Sequence, residues 1–153
     1  MIAVEIPGWR DLELQYCVLD LNGTLALDGR ISEEVKERIR LLSGQLELFL
    51  LSSDTFGTAK EVARQLGITF QVARDGEDKL RFVRELGAEM VVAVGNGRND
   101  RLMLREAALA VAVLGPEGLA VDALREADIV APSPEAALDL LLHPARLVAT
   151  LRG

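Results

Sequence analysis

The chain has 153 residues, half of them hydrophobic, and its 17 Lys and Arg against 24 Asp and Glu give a net charge of −7. This length suits one domain with a full-sized core and leaves no room for two. The acidic balance argues against a general nucleic-acid binder, which would carry a basic surplus, and no uncharged apolar run approaches the length of a membrane span.

The N-terminal sequence and the single cysteine predict a cytoplasmic protein with no membrane partner. "MIAVEIPGWRDLE" carries acids early and lacks the basic region followed by a long apolar stretch that is typical of a signal peptide. Cys17 lies in an apolar strand pattern and is the only cysteine, so a disulfide within one chain is excluded and a buried structural thiol is expected.

Short apolar runs recur along the chain and predict strands. The first is expected around residues 2–6, as an antiparallel edge, because "PGW" turns the chain before the main sheet. Several of the later runs are apolar at nearly every position, which is typical of parallel strands covered on both faces. These further strands are predicted at residues 15–21, 46–52, 68–73, 90–95, 109–115 and 128–131.

Helical patterns fill the segments between the strands. One helix is predicted after Ser32, which can cap it, and another over 59–66, with Thr55 as its N-cap and Gly67 as its end. Pro144 should interrupt the last helix. The remaining helices are predicted over 80–86, 99–108, 117–126 and from 134 onward. The alternation predicts a single α/β domain over residues 1–153, with a doubly wound, Rossmann-like parallel sheet and helices on both faces.

In such a fold, ligands bind at the carboxyl ends of the strands, so the polar residues there are the candidates for function. Lys79 is a further candidate, because a basic residue at the start of a helix opposes the macrodipole and is better explained by a bound anion. The strand-end residues form three groups: Asp20, Asn22 and Thr24; Ser52, Ser53 and Asp54; and Asn96, Asn99 and Asp100.

Taken in order, these residues resemble the four motifs of the haloacid dehalogenase-like (HAD) phosphohydrolases, above all those of the phosphorylation domain of P-type ATPases. "DLNGT" is similar to the D-K-T-G-T of the pumps and the D-x-D-G-T of most phosphatases, and "LLSSDTFGTAKEVARQLGI" to the segment around T-G-D-N. "EDKLRFVREL" resembles the lysine motif and "VVAVGNGRND" the G-D-G-x-N-D motif. The resemblance covers about residues 18–115 and implies a HAD-like fold and phosphohydrolase chemistry.

Phosphoryl transfer gives the nucleophile and the phosphate-binding residues defined roles. Asp20 would be the nucleophile, followed by the amides of Gly23 and Thr24 as phosphate donors. Lys79 would neutralise the transferred phosphoryl group, and the hydroxyl of Ser52, with Ser53 beside it, would bind it. Simpler roles stay open, with Asp20 in a turn and the serines as caps at a strand end.

The expected cofactor is Mg²⁺, which prefers hard oxygen ligands. Its predicted ligands are Asp20, the backbone carbonyl of Asn22, Asn96, and Asp100 directly or through water. Asp54 and Asp100 could instead cap the helices that follow them.

Two positions depart from the family pattern. Asn22 stands where most HAD phosphatases have an aspartate that protonates the leaving group and activates water, and an amide cannot exchange a proton near pH 7. Asn96 stands where a metal-ligating aspartate is usual, and it binds Mg²⁺ without contributing a charge. The departures predict slow turnover and weak metal binding.

The spacing of the motifs leaves no room for a cap domain, because core elements fill the intervals between Asp20, Ser52 and Lys79. An uncapped site needs a neighbouring subunit to close it or a large substrate with an exposed phosphate. We therefore expect a homo-oligomer, with "IPGW" (6–9) as an apolar edge for the contact.

Three functions follow from these observations. The favoured one is a slow, Mg²⁺-dependent phosphatase that works through an aspartyl-phosphate on Asp20 and acts on a phosphorylated small molecule or macromolecule. The alternative is a non-catalytic regulator that binds phosphate or a phosphoprotein on a disabled HAD fold. A phospho-acceptor like the response regulators ranks last, because we find no second acidic cluster before the phosphorylated strand.

Overall fold

The computed structural model describes residues 1–54 and 57–153, so the N-cap predicted at Thr55 lies outside the described residues. Six strands form a fully parallel sheet, as predicted. They are β3 (Tyr16–Asp20), β4 (Glu47–Ser52), β5 (Thr69–Val72), β6 (Val91–Gly95), β7 (Leu109–Val113) and β8 (Ile129–Ala131). Their spatial order is β5-β4-β3-β6-β7-β8, which is a doubly wound topology.

Seven helices connect the strands and cover both faces of the sheet within the described residues. They are α1 (Glu33–Leu42), α2 (Thr58–Leu66), α3 (Gly76–Leu86), α4 (Arg101–Glu106), α5 (Val121–Glu126), α6 (Pro134–Leu142) and α7 (Ala145–Leu151). The buried residues of α1, α2, α6 and α7 belong to one hydrophobic cluster, and those of α3, α4 and α5 to the cluster on the opposite face. The prediction of an α/β sheet with helices on both faces is confirmed.

Local sequence signals set most helix ends where they were predicted. The Ser32 side chain accepts a hydrogen bond from the N–H of Val35 at 3.1 Å and caps α1. Gly67, in the left-handed conformation, ends α2, and Pro144 separates α6 from α7. The helix expected over 117–126 begins only at Val121, because residues 115–118 form a turn closed by the hydrogen bond from Gly118 N to Gly115 O.

The first strand lies where it was predicted and is antiparallel, but it is not an edge of the main sheet. β1 (Ile2–Glu5) pairs antiparallel with β2 (Asp11–Leu14), and the two form a separate two-stranded sheet, while β5 and β8 are the edges of the main sheet. β2 was not predicted, because its alternation is only four residues long. "IPGW" is covered in part: Ile6 is buried and Trp9 packs against the core, with the Arg10 guanidinium 4.0 Å from the centre of its ring. Pro7 and Gly8 are exposed.

The strand register places the candidate residues at one end of the sheet. β3 buries Cys17, Val18 and Leu19 and delivers Asp20 to its carboxyl end, beside Leu51 of β4. The chain runs from β3 outward through β4 and β5, then returns to the other side of β3 with β6. The crevice between β3 and β6 is therefore the topological switch point, where ligands bind in such folds. In the described residues, no helix combines the length and the apolar character needed to cross a membrane.

Candidate active site

A tight turn follows Asp20 and fixes the start of the site. The carbonyl of Leu21 accepts hydrogen bonds from the N–H groups of Thr24, Leu25 and Ala26, at 3.3, 3.0 and 2.9 Å. Gly23 has a φ of 76°, a conformation that favours glycine. The turn leaves the Asp20 side chain 13% exposed at the end of β3.

The backbone amides of Gly23 and Thr24 do not match their predicted role as phosphate donors. The N–H of Gly23 bonds to the carbonyl of Ala26 at 2.9 Å, and that of Thr24 bonds to Leu21, so the turn uses both donors internally. Thr24 faces the site with its hydroxyl instead, which lies 3.1 Å from Asp20 Oδ2.

Lys79 lies between two carboxylates. Its Nζ is 3.0 Å from Asp20 Oδ1 and 2.7 Å from Asp100 Oδ1, and its side chain is 3% exposed. The lysine does not open its helix as predicted, because α3 begins at Gly76 with Asp75 as the N-cap. The buried carboxylates, rather than the end of the helix, account for the position of Lys79.

Asp100 is fully buried, and protein donors engage both of its oxygens. Oδ1 accepts from Lys79, while Oδ2 accepts from the N–H groups of Asn96 and Gly97, at 3.0 and 2.9 Å. A side chain at Gly95 would come within 2.6 Å of the Asp100 carboxylate, so the glycine at the end of β6 makes room for it. Asp100 thus anchors Lys79 to the loop that follows β6.

The charges of this cluster perturb the titration of Asp20 and Lys79. Burial and the negative charge of Asp100 raise the pKa of Asp20 to about 6, against the opposite effects of Lys79 and Thr24. Burial lowers the pKa of Lys79, but the two carboxylates outweigh it and the pKa of Lys79 is raised. The lysine is therefore a permanent cation beside a carboxylate that ionises near neutral pH.

Three oxygens converge on the β6 side of Asp20. The Thr24 hydroxyl lies 3.1 Å from Asp20 Oδ2 and 3.0 Å from Asn96 Oδ1, yet it has one proton and can donate to only one of them. The carboxylate, amide and hydroxyl oxygens gathered here are hard donors of the kind that fits Mg²⁺, which commonly takes one or two carboxylates. The described residues hold no cluster of three or more His, Cys, Asp or Glu side chains that would form a tighter metal centre.

A polar cavity of about 410 Å³ opens on the β4 side of Asp20. Asn22, Ser52 and Ser53 line it, and their contact with a phosphate stays a prediction. The Ser52 hydroxyl accepts from the N–H of Asp54 at 3.1 Å, which leaves its own proton free to donate into the cavity.

Asp54 caps the helix that begins beside this cavity. Its carboxylate accepts from the N–H groups of Ala59 and Lys60, at 2.7 and 3.1 Å, and its backbone has a φ of 48°. The capping role that the sequence left open for Asp54 is thus observed, and it occupies the N–H groups that an anion could otherwise have used.

One contact of the site was not predicted from the sequence. The Asn96 Nδ2 donates to the carbonyl of Gly118, 3.2 Å away, in the turn after β7. The only signal was "GPEG" itself, in which a proline and a final glycine are typical of a turn.

Comparison with known proteins agrees with this geometry. The family model of haloacid dehalogenase-like hydrolases matches residues 3–108. The chain belongs to this family. The resemblance seen in its four motifs is therefore confirmed.

Sequence relatives of this HAD-like chain include copper-transporting ATPases. An uncharacterised protein of Methanocaldococcus jannaschii is 42% identical over 78 residues, which are 48% of this chain and 84% of that protein. Copper-transporting ATPase 1 of Rhizobium meliloti is 33% identical over 123 residues, which are 75% of this chain and 14% of the ATPase. The pump therefore shares only a small part of its length with this chain.

A solved structure shows the same fold over nearly its whole length. The 3-deoxy-D-manno-octulosonate 8-phosphate phosphatase of Moraxella catarrhalis, in complex with magnesium ion, phosphate ion and its KDO molecule, superposes with a TM-score of 0.73. The match covers 92% of this chain and 94% of the phosphatase at 15% identity.

Proposed function

We propose that this HAD-like hydrolase is a slow, Mg²⁺-dependent phosphatase that works through an aspartyl-phosphate on Asp20. The arrangement of the Asp20 carboxylate carries the proposal. Its Oδ1 contacts the Lys79 ammonium at 3.0 Å and its Oδ2 the Thr24 hydroxyl at 3.1 Å, beside a polar cavity lined by Ser52. A carboxylate that is oriented at both oxygens and open on one side is suited to in-line attack on phosphorus.

In the first step, an Asp20 oxygen forms a bond to phosphorus as the bond to the leaving-group oxygen breaks. Lys79 offsets the charge on the phosphoryl oxygens, and the Ser52 hydroxyl donates to one of them. Asn22 lines the cavity but has no proton to give, so the leaving group must be a good one or take its proton from water.

In the second step, water attacks the phosphorus of the aspartyl-phosphate, loses a proton, and releases inorganic phosphate and the free carboxylate. A positioned base contributes typically ~10²–10⁴-fold to such a step. Asn22 cannot act as a base, so the phosphoenzyme should persist and limit turnover.

The residues proposed to hold Mg²⁺ are Asp20, the backbone carbonyl of Asn22, and Asn96. When bound, the ion supplies positive charge beside the phosphoryl oxygens. Asp100 acts at the site through Lys79 and the loop after β6, because both of its oxygens already accept hydrogen bonds.

The proposed substrate is a phosphorylated small molecule or an exposed phosphate on a macromolecule, in the cytoplasm. Between Asp20 and Ser52 the described chain forms α1 and β4, and neither is an element of a cap. We therefore propose that a second copy of the chain closes the site over a small substrate.

The direct test is phosphate release from p-nitrophenyl phosphate with Mg²⁺. Steady release by the parent and its loss in Asp20→Asn are the expected results. Binding of inorganic phosphate by the parent without any release would instead identify a non-catalytic phosphate-binding regulator, which is the alternative that Asn22 and Asn96 favour.

A further inference from the structure

The amide of Asn96 is held from two opposite sides. Its Oδ1 lies 3.0 Å from the Thr24 hydroxyl, whose single proton can go to Asn96 or to Asp20, and its Nδ2 donates to the carbonyl of Gly118 at 3.2 Å. The oxygen therefore faces the Thr24 hydroxyl, which also contacts Asp20 Oδ2 at 3.1 Å, and the nitrogen faces the turn after β7.

This orientation matters because an asparagine can bind a cation only through its oxygen. An aspartate presents an oxygen whichever way round it lies, whereas a half-turn about the Cβ–Cγ bond of an asparagine exchanges oxygen for nitrogen. With Asn96 turned round, its N–H₂ group would face the Thr24 hydroxyl beside Asp20, and the cation ligand would be lost. The N–H₂ group can donate to that hydroxyl, which can then donate to Asp20, so a neighbouring group must disfavour this orientation.

Residues 115–120, here called the orienting loop, supply that group. Two backbone hydrogen bonds hold the loop, from Gly118 N to Gly115 O and from Ala120 N to the Asn96 carbonyl, both at 2.9 Å. Gly118 has a φ of 87°, and a Cβ added there would meet no atom within 4 Å. The position of its carbonyl therefore depends on a backbone conformation that favours glycine, and not on space for a side chain.

We propose that the orienting loop is a positioning element for the cation site, in which the Gly118 carbonyl keeps the oxygen of Asn96 directed toward the Thr24 hydroxyl beside Asp20. The proposal rests on the proposed function only in taking a divalent cation as the ligand. Cation binding by an asparagine at position 96 then depends on this loop, whereas cation binding by an aspartate at the same position would not.

The first test measures Mg²⁺ binding by calorimetry on the substrate-free protein. Gly118→Ala should strain the loop and weaken Mg²⁺ binding by roughly tenfold, because fewer molecules present the oxygen. In the Asn96→Asp background, the same Gly118→Ala change should alter the Mg²⁺ dissociation constant by less than about twofold, since either carboxylate oxygen serves. This rescue separates orientation of the amide from a general loss of structure.

Gly67→Ala is the matched control. Gly67 has a φ of 70° and, like Gly118, no atom within 4 Å of an added Cβ, but it ends α2 and lies outside the site. The control should lose stability and keep the parent's Mg²⁺ affinity. Equal effects of Gly118→Ala on Mg²⁺ binding in the Asn96 and Asn96→Asp backgrounds would overturn the proposal.

The second test needs no metal and no substrate. Asn96→Ala removes the donor to Gly118 without substituting any residue of the orienting loop. The loop should then open more often, and the amides of Gly118 and Ala120 should exchange hydrogen about tenfold faster than in the parent. Unchanged exchange in the metal-free variant would show that Asn96 does not hold the loop and would overturn the proposal. Absence of phosphatase activity would leave both tests in force, since neither uses turnover.

Discussion

Asp20 and Asp100 contact the same ammonium group, but their surroundings differ. Asp100 accepts three hydrogen bonds and is fully buried, whereas Asp20 is partly exposed and its pKa is raised to about 6. The site therefore disfavours the charged form of Asp20, while the buried Asp100 side chain, with its three hydrogen-bond donors, holds Lys79 in the interior.

This difference predicts that an Asp→Asn substitution lowers stability far more at Asp100 than at Asp20. Asp100→Asn should lower the free energy of unfolding of the metal-free protein by about 3 kcal/mol or more, because an N–H₂ group would face donors in place of an oxygen. Asp20→Asn, which leaves the pair of Lys79 and Asp100 intact, should stay within about 1 kcal/mol of the parent. Urea unfolding at pH 7.5 gives both values, and equal losses would contradict the assignment.

Cys17 is a second residue with a clear expected behaviour. It is fully buried in β3, as its apolar neighbours in the sequence predicted, and burial raises the pKa of its thiol to about 12. The reactive thiolate is therefore scarce at any pH below that value. A disulfide reagent at pH 8 should label Cys17 of the unfolded protein at once, and Cys17 of the native protein only as fast as the fold opens. Rapid labelling without urea would contradict the burial of Cys17.

At the scale of elements, short apolar runs predicted the six parallel strands. A parallel strand that is covered on both faces is apolar at nearly every position, so the run itself is the signal. The separate β1–β2 sheet was not predicted, since a four-residue strand such as β2 has too short an alternation of polar and apolar residues to be recognised. The candidate residues at the strand ends followed from the same runs, whereas Lys79 lies in α3. The capping role of Asp54 was one of the alternatives left open, but the contact of Gly118 could not be predicted, because it depends on loop conformation and not on the order of residue types.

Asp54 offers a test of how α2 is fixed beside the site. Its carboxylate caps the helix from a residue with positive φ, a conformation that asparagine tolerates. Asp54→Ala should cost about 1–2 kcal/mol of stability through loss of both capping hydrogen bonds, while Asp54→Asn should cost less, because its one oxygen keeps one of the two. Thermal unfolding compares the two variants, and an equal loss in both would show that charge, not capping, is what Asp54 contributes.

At the scale of the whole molecule, the doubly wound topology sets the site in an open crevice between β3 and β6. Within the described residues, Pro7 and Gly8 of "IPGW" are exposed and Trp9 is half-buried, so this segment as a contact surface between copies stays a prediction. A second copy, if it closes the crevice, must approach from the carboxyl end of the sheet.

Light scattering at micromolar concentration tests this expectation. A homo-dimer or larger assembly is expected if the substrate is a small molecule, because an uncapped site needs a neighbour to exclude water. A monomer would contradict closure by a second copy and would favour a macromolecular substrate with an exposed phosphate.

The central claim is that Asp20 becomes phosphorylated and that Asn22 makes its dephosphorylation slow. Rapid-quench kinetics with p-nitrophenyl phosphate and saturating Mg²⁺ tests it most directly, because nitrophenolate needs no proton to leave. The parent should show a burst of nitrophenolate followed by a slow steady rate, and Asn22→Asp should shrink the burst and raise the steady rate by at least about tenfold. A folded Asn22→Asp variant that binds Mg²⁺ but turns over no faster than a parent without a burst would contradict the account.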